Sequence, residues 1–296
     1  MNVLRPSLIL NFDDSVVLGD LAGVTPIPLQ SWQEMIRFGC RWSQFRQLAQ
    51  ALEPHLKATD YGCIFTGSGD FHHLTHLLVQ RLAKLPKFQL VVCDNHPDNM
   101  RYPFGIHCGS WVYWASRLPQ VEHVHVLGIG SSDIAIGHAW ENHLMPLYKN
   151  KVTYWNINVD TRWLNWLGAG KSSRTYTDAD QLMTDFLAQL TNSGPQSVYL
   201  SIDKDALSPQ VVNTNWDQGY FAERHLNQLI DACRGQLIGA DITGEVSAYR
   251  YHSRFKRWLS AADGQIEPTE QEISSWQRQQ NLLNLRLLQH INACWL

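Results

Sequence analysis

The segment Phe88-Gln89-Leu90-Val91-Val92-Cys93-Asp94-Asn95-His96-Pro97-Asp98 decides the reading of the fold. Its first six residues form an apolar run with the length of a strand buried on both faces, as in the middle of a parallel sheet. Directly after it come a carboxylate, an imidazole and a second carboxylate at alternate positions: Asp94, His96 and Asp98. In a roughly extended segment all three point to one side. Ligands of open parallel sheets bind beyond the carboxyl ends of the strands, where loops converge around a crevice.

Similar apolar runs recur at Ser7–Phe12, Gly62–Thr66, Glu122–Gly128, Val152–Asn158, Ser197–Asp203 and Gln236–Ile242. Between them, His73–Leu85, Asp178–Thr191 and Phe221–Cys233 show helical spacing. This alternation predicts one α/β domain over residues 1–296, a mainly parallel sheet with helices on both faces. Ser31–Leu52 is expected to be a helix, within a less typical N-terminal part (residues 1–58) that is uninformative about chemistry. Glu267–Asn292 reads as a terminal helix within residues 267–293, with Pro268 in its first turn. Gly168–Ser173 reads as a loop, not a domain boundary.

Three further strand ends carry ionisable residues. Gly62–Thr66 leads into Gly67-Ser68-Gly69-Asp70-Phe71-His72-His73, Ser197–Ile202 ends in Asp203-Lys204-Asp205, and Gln236–Asp241 leads into Ile242-Thr243-Gly244-Glu245. Taken alone, two aspartates flanking one residue usually make a turn or a helix cap, and a His-His pair usually opens a helix. Together they mean something else. Several carboxylates gathered in one crevice repel one another and must protonate or bind cations. Carboxylate and imidazole ligands suit hard divalent ions, and the absence of nearby thiolates disfavours a structural zinc site.

The bulk composition narrows the function classes. The chain has 296 residues, 44% hydrophobic and 17% charged, with a formal net charge of -3. No run of Lys or Arg offers a footprint for nucleic acid or an anionic membrane, which leaves small-molecule chemistry. The six cysteines show no CxxC spacing, so neither a zinc nor a redox motif is indicated, and reduced thiols in a cytoplasmic protein explain them. No signal peptide and no membrane span is expected. Gly128-Ile129-Gly130 lacks the third glycine of a dinucleotide loop and reads as a tight strand-to-helix turn.

In this order, Gly69-Asp70-Phe71-His72, Asp94 to Asp98, His107-Cys108-Gly109, Asp203 to Pro209 and Asp241 to Glu245 resemble the signature of the ureohydrolases, the family of arginase, agmatinase and formiminoglutamase. The resemblance covers about residues 60 to 250. It implies an arginase-like fold and two divalent metal ions, manganese by preference. One would be held by His72, Asp94, Asp98 and Asp203, and the other by Asp94, His96, Asp203 and Asp205. A water between them would lose its proton near neutral pH and attack a planar carbon. His107 matches the family's acid/base histidine, and Glu245 the glutamate that grips a guanidinium group through a two-point contact. The implied partner is a small guanidino or amidino substrate, and homo-oligomers are common in the family.

The sequence also departs from the family pattern. Phe71 is inserted before His72, which leaves His72 or His73 as the ligand, with His72 preferred. Asn95 replaces a small residue, and Gly244 is extra before Glu245. The stretch Asn99–Ile106 lacks the serine that helps arginases hold the amino acid's carboxylate, so a substrate other than arginine is expected. Two other readings are an amide hydrolase of the deacetylase type and a non-catalytic metal-binding descendant.

Overall fold

The structure, a computed structural model, describes residues 5–19, 23–56, 61–254, 256–257 and 268–295. The strands are β1 (Ser7–Asn11), β2 (Val24–Pro28), β3 (Gly39–Cys40), β4 (Cys63–Ser68), β5 (Phe88–Cys93), β6 (Ile106–His107), β7 (Val121–Ile129), β8 (Val152–Ile157), β9 (Ser173–Tyr176), β10 (Val198–Asp203) and β11 (Leu237–Glu245). Nine of them form one sheet in the order β2-β1-β4-β11-β10-β5-β7-β8-β9, while β3 and β6 form a separate two-stranded pair. Every pairing in the large sheet is parallel.

A parallel sheet must be covered on both faces, and alternation along each strand divides the apolar side chains between two cores. In β5, Phe88, Leu90 and Val92 face one core, shared with α2 (Trp42–Leu52), α3 (Leu74–Gln80), α4 (Trp111–Ala115), α5 (Met145–Tyr148) and α6 (Trp163–Trp166). Val91 and Cys93 face the other, shared with α7 (Ala179–Asn192), α8 (Glu223–Ala232) and the C-terminal helix α9 (Glu270–Cys294). The chain is a single α/β domain of the expected class. α9 starts from a capping box of Thr269 and Glu272, so Pro268 precedes the cap instead of occupying the first turn; Glu267 lies outside the described residues.

The segment Ser31–Leu52 is not one helix. A 3-10 turn (Gln30–Trp32) and the short helix α1 (Gln33–Ile36) give way to β3 before α2 begins. Phe38 adopts φ 68°, and β3 then pairs antiparallel with β6, setting Gly39 opposite His107. A Cβ on Gly39 would lie 2.5 Å from the Cβ of His107, so only glycine permits this approach. The N-terminal part therefore helps to build the site. Likewise, Gly168–Ser173 contains a 3-10 turn and opens β9, an edge strand.

Candidate metal centre

The four strand ends that carry His72, Asp94, Asp203 and Glu245 belong to β4, β5, β10 and β11, which are neighbours at the centre of the sheet. After β4, Ser68 caps a 3-10 turn (Gly69–Phe71) that aims His72 back over the sheet. Asp70, in the same turn, does not face the crevice. It takes Nε of the buried Arg37 at 2.6 Å, and Arg37 also lies 3.7 Å from Asp13.

His72 Nδ1 stands 3.1 Å from Asp94 Oδ2, 3.0 Å from Asp98 Oδ2 and 3.3 Å from Asp203 Oδ2. His96 Nδ1 stands 2.9 Å from Asp205 Oδ2 and 3.5 Å from Asp94 Oδ1. His72, Asp94 and Asp203 thus make one group able to hold a metal ion, and Asp94, His96 and Asp205 a second, with Asp94 common to both. His73 is buried against Phe45 with neither ring nitrogen bonded, so the structure puts His72 and not His73 among the carboxylates.

These side chains shift one another's protonation. Burial and the charge on Asp94 push Asp98 up to about 7, and burial with Asp94 does the same for Asp205. Burial and Asp205 raise Asp203 well above the carboxylate range. Burial would also raise Asp94, but hydrogen bonds from His72 and His96 outweigh it and hold Asp94 low. Burial works against a charge on His72 too, yet Asp94 and Asp98 hold it well above the usual imidazole value. Four carboxylates share two imidazoles, and the single nitrogen His72 Nδ1 is faced by Asp94, Asp98 and Asp203 at once. The donor set and its charge fit a pair of divalent cations.

The groups behind the carboxylates are ordered. His72 Nε2 lies 3.0 Å from Ser201 Oγ, which donates to Asp241 at 2.8 Å. Trp111 Nε1 donates to Asp98 Oδ2 at 2.6 Å. Ser201 shares a strand face with Asp203, a legible signal, whereas nothing local marks Trp111.

The cavity over these residues measures about 360 Å³. Phe38, Met100, Tyr102 and Trp216 supply its apolar walls, and Asp133, Glu141 and Asp217 add carboxylates. His107 is in the wall, stacked on Phe38 and edge-on to Tyr102. Its Nδ1 has no hydrogen bond, and burial pushes its pKa down to about 3. It is therefore neutral near pH 7, not poised at the ordinary imidazole value.

Glu245 is not where the sequence pattern suggested. It is fully buried, ion-paired with Lys204 and hydrogen-bonded by Asn284 Nδ2 at 2.8 Å, and it does not line the cavity. The cause is the extra residue. The register of β11 against β4 shifts between Thr243 and Glu245, and Gly244 bulges out at φ 87°, where a Cβ would lie 2.4 Å from Asp203 Oδ1. Arg101 does not line the cavity either; its Nε donates to the Asn142 carbonyl.

No protein-family model matches the sequence. An uncharacterised protein of Thermotoga maritima is 28% identical over 213 residues, 72% of this chain and 68% of its own. Among solved structures, arginase from Bacillus subtilis superposes with a TM-score of 0.55 at 15% identity, covering 96% of this chain and 98% of its own. Agmatine ureohydrolase of Thermoplasma volcanium gives 0.55 at 12% identity, covering 99% and 90%. Proclavaminate amidino hydrolase from Streptomyces clavuligerus gives 0.53 at 15% identity, covering 98% and 93%. With its nine-stranded parallel sheet and full-length superposition, this chain has the ureohydrolase fold.

Proposed function

We propose that the protein is a binuclear-metal hydrolase that cleaves a guanidino or amidino C–N bond of a small molecule. The observation that carries this reading is the meeting of His72, Asp94, Asp98, His96, Asp203 and Asp205 at one cavity on the ureohydrolase fold. Two divalent ions there, manganese by preference, would polarise the substrate and supply a nucleophile from water near neutral pH. Asp94 and Asp203 would contact both ions, His72 and Asp98 the first, and His96 and Asp205 the second. Trp111 fixes the orientation of Asp98, and Ser201 that of His72. His107 enters the reaction as a neutral imidazole, takes a proton from the attacking water and returns it to the leaving nitrogen.

The cavity wall bears on the substrate. No Arg or Lys is among the described residues that line it, so a substrate carboxylate would be desolvated without a partner. An amine-bearing or apolar tail suits the wall better than the amino-acid end of arginine. The withdrawal of Glu245 favours a second reading, hydrolysis of an ordinary amide, because it removes a carboxylate suited to a guanidinium ion.

The deciding experiment compares kcat/KM for arginine, agmatine, guanidino acids, formimino compounds and acetylated amines on manganese-loaded protein. A non-arginine guanidino or amidino compound should rank first. Arginine in first place would overturn the substrate reading, and turnover of amides alone would establish the second. In solution the reading includes homo-oligomers, for which sedimentation velocity is the check. Among the described residues, no helix is long and apolar enough to cross a membrane.

A further inference from the structure

Asn95 departs from the family pattern, and the structure shows what it touches. Its Nδ2 donates to Asp217 Oδ2 at 2.9 Å and to the Asp217 carbonyl at 3.0 Å. Its Oδ1 accepts from Gly130 N at 3.0 Å, and its own backbone N–H donates to Asp205 Oδ1 at 3.0 Å. The amide orientation is fixed, since one end faces a donor and the other a carboxylate. Gly130 makes the contact possible, for a Cβ there would lie 2.9 Å from Asn95 Oδ1. One side chain thus ties the loop bearing Asp217 to the ends of β5 and β7.

The carboxylate held in this way reaches the far side of a ligand. Asp217 Oδ1 is 2.8 Å from His96 Nε2, while His96 Nδ1 faces Asp205 and Asp94. A carboxylate accepts hydrogen bonds, so Nε2 keeps its proton and the lone pair available to a cation is on Nδ1. The edge of Trp216 against the His96 ring, with centroids 5.8 Å apart, restrains the ring's rotation.

We propose that Asp217, steered by Asn95, is a positioning residue for His96: it selects Nδ1 as the ligand atom and so builds the second metal position. The proposal rests on the binuclear reading above. It accounts for Asn95 as one half of a paired device whose other half lies 122 positions along the chain. The Asp217 side chain is 65% exposed, so replacing it empties no core site. An exposed carboxylate–imidazole contact contributes little to folding stability, which makes its effect on the ligand separable from an effect on the fold.

The experiment measures manganese binding by equilibrium dialysis, and the EPR spectrum of the loaded protein, for wild type, Asp217→Ala, Asp217→Glu and Asn95→Ala. Wild type is expected to bind two ions and give the spectrum of a coupled pair. In Asp217→Ala one ion should weaken by about tenfold to a hundredfold, the range seen when a ligand's hydrogen-bond partner is removed. The pair spectrum should give way to that of an isolated ion, the other ion and the Tm of the metal-free protein staying unchanged. Asn95→Ala should fall between the two, and Asp217→Glu should recover part of the affinity. Two ions bound equally well by wild type and Asp217→Ala would overturn the proposal alone. A single ion per wild-type chain would overturn the binuclear reading and the proposal with it.

Discussion

Trp111 Nε1 donates at 2.6 Å to Asp98 Oδ2, the oxygen that also lies 3.0 Å from His72 Nδ1. An indole N–H can only donate, so the contact holds Asp98 as an acceptor, with Oδ2 turned toward His72. Trp111→Phe keeps the ring and removes the bond. Metal affinity should fall about tenfold to a hundredfold, and stability by about 1.5–3 kcal/mol for a buried bond to a charged group. Manganese titration and urea unfolding measure the two effects, and an unchanged affinity would show that Trp111 only fills space.

Under the proposed binuclear reading, Asp203 would touch both ions and Asp205 only one. Asp203 Oδ2 faces His72, its Oδ1 accepts from the Asp205 backbone at 3.1 Å, and Asp205 faces His96. Asp203→Ala is expected to abolish binding of both ions, and Asp205→Ala to cost one. Elemental analysis after metal loading distinguishes them, and loss of the same single ion in both variants would exclude a bridging Asp203.

The Lys204–Glu245 pair is buried without exposure on either side. Burial pulls both groups toward their neutral forms, Lys204 downward and Glu245 upward, against their mutual attraction. Breaking such a pair leaves one charge stranded, so Lys204→Ala should lose about 3–5 kcal/mol, whereas Lys204→Met combined with Glu245→Gln should recover most of it. Urea unfolding of the three proteins tests this. A loss below about 1 kcal/mol in Lys204→Ala would mean that the pair is already neutral.

His76 supplies a pH dependence. It is buried on α3 beside Trp42 and Phe45, its Nδ1 is unbonded, and burial lowers its pKa to about 4. The unfolded chain takes up a proton near pH 6.5 that the folded chain refuses until about pH 4. Stability from this group is therefore complete above about pH 6.5 and falls as the pH drops toward 4, by roughly 3 kcal/mol in all. Unfolding at about pH 7 and about pH 4.5 should show a smaller difference in His76→Leu than in wild type. Equal slopes would place the acid sensitivity elsewhere.

The sequence made the central strands and the Asp and His side chains at their ends legible, because an apolar run followed by spaced carboxylates is a local pattern. The edge strands were not. β2 contains Pro26 and Pro28, tolerated only because an edge leaves backbone donors unpaired, and β9 reads Ser-Arg-Thr-Tyr, too polar for a buried run. The break in Ser31–Leu52 depends on β6, more than sixty residues away. Glu245 was misread because a one-residue bulge re-aims its side chain toward Lys204, and Asp217 sits in a loop with no periodicity to mark it.

The sheet order also sets a schedule for the growing polypeptide. β4 and β5 are made early but never touch, because β11 and β10 must insert between them. β5 keeps an unpaired edge toward the missing centre until residue 203 has emerged from the ribosome, and β4 keeps one until residue 245. The nascent chain is then a template for wrong pairing, and the Asp and His side chains of the candidate site are still scattered along it. Synthesis of this protein therefore carries a vulnerable interval of at least 150 residues from the end of β5, during which a chaperone would have the most to protect.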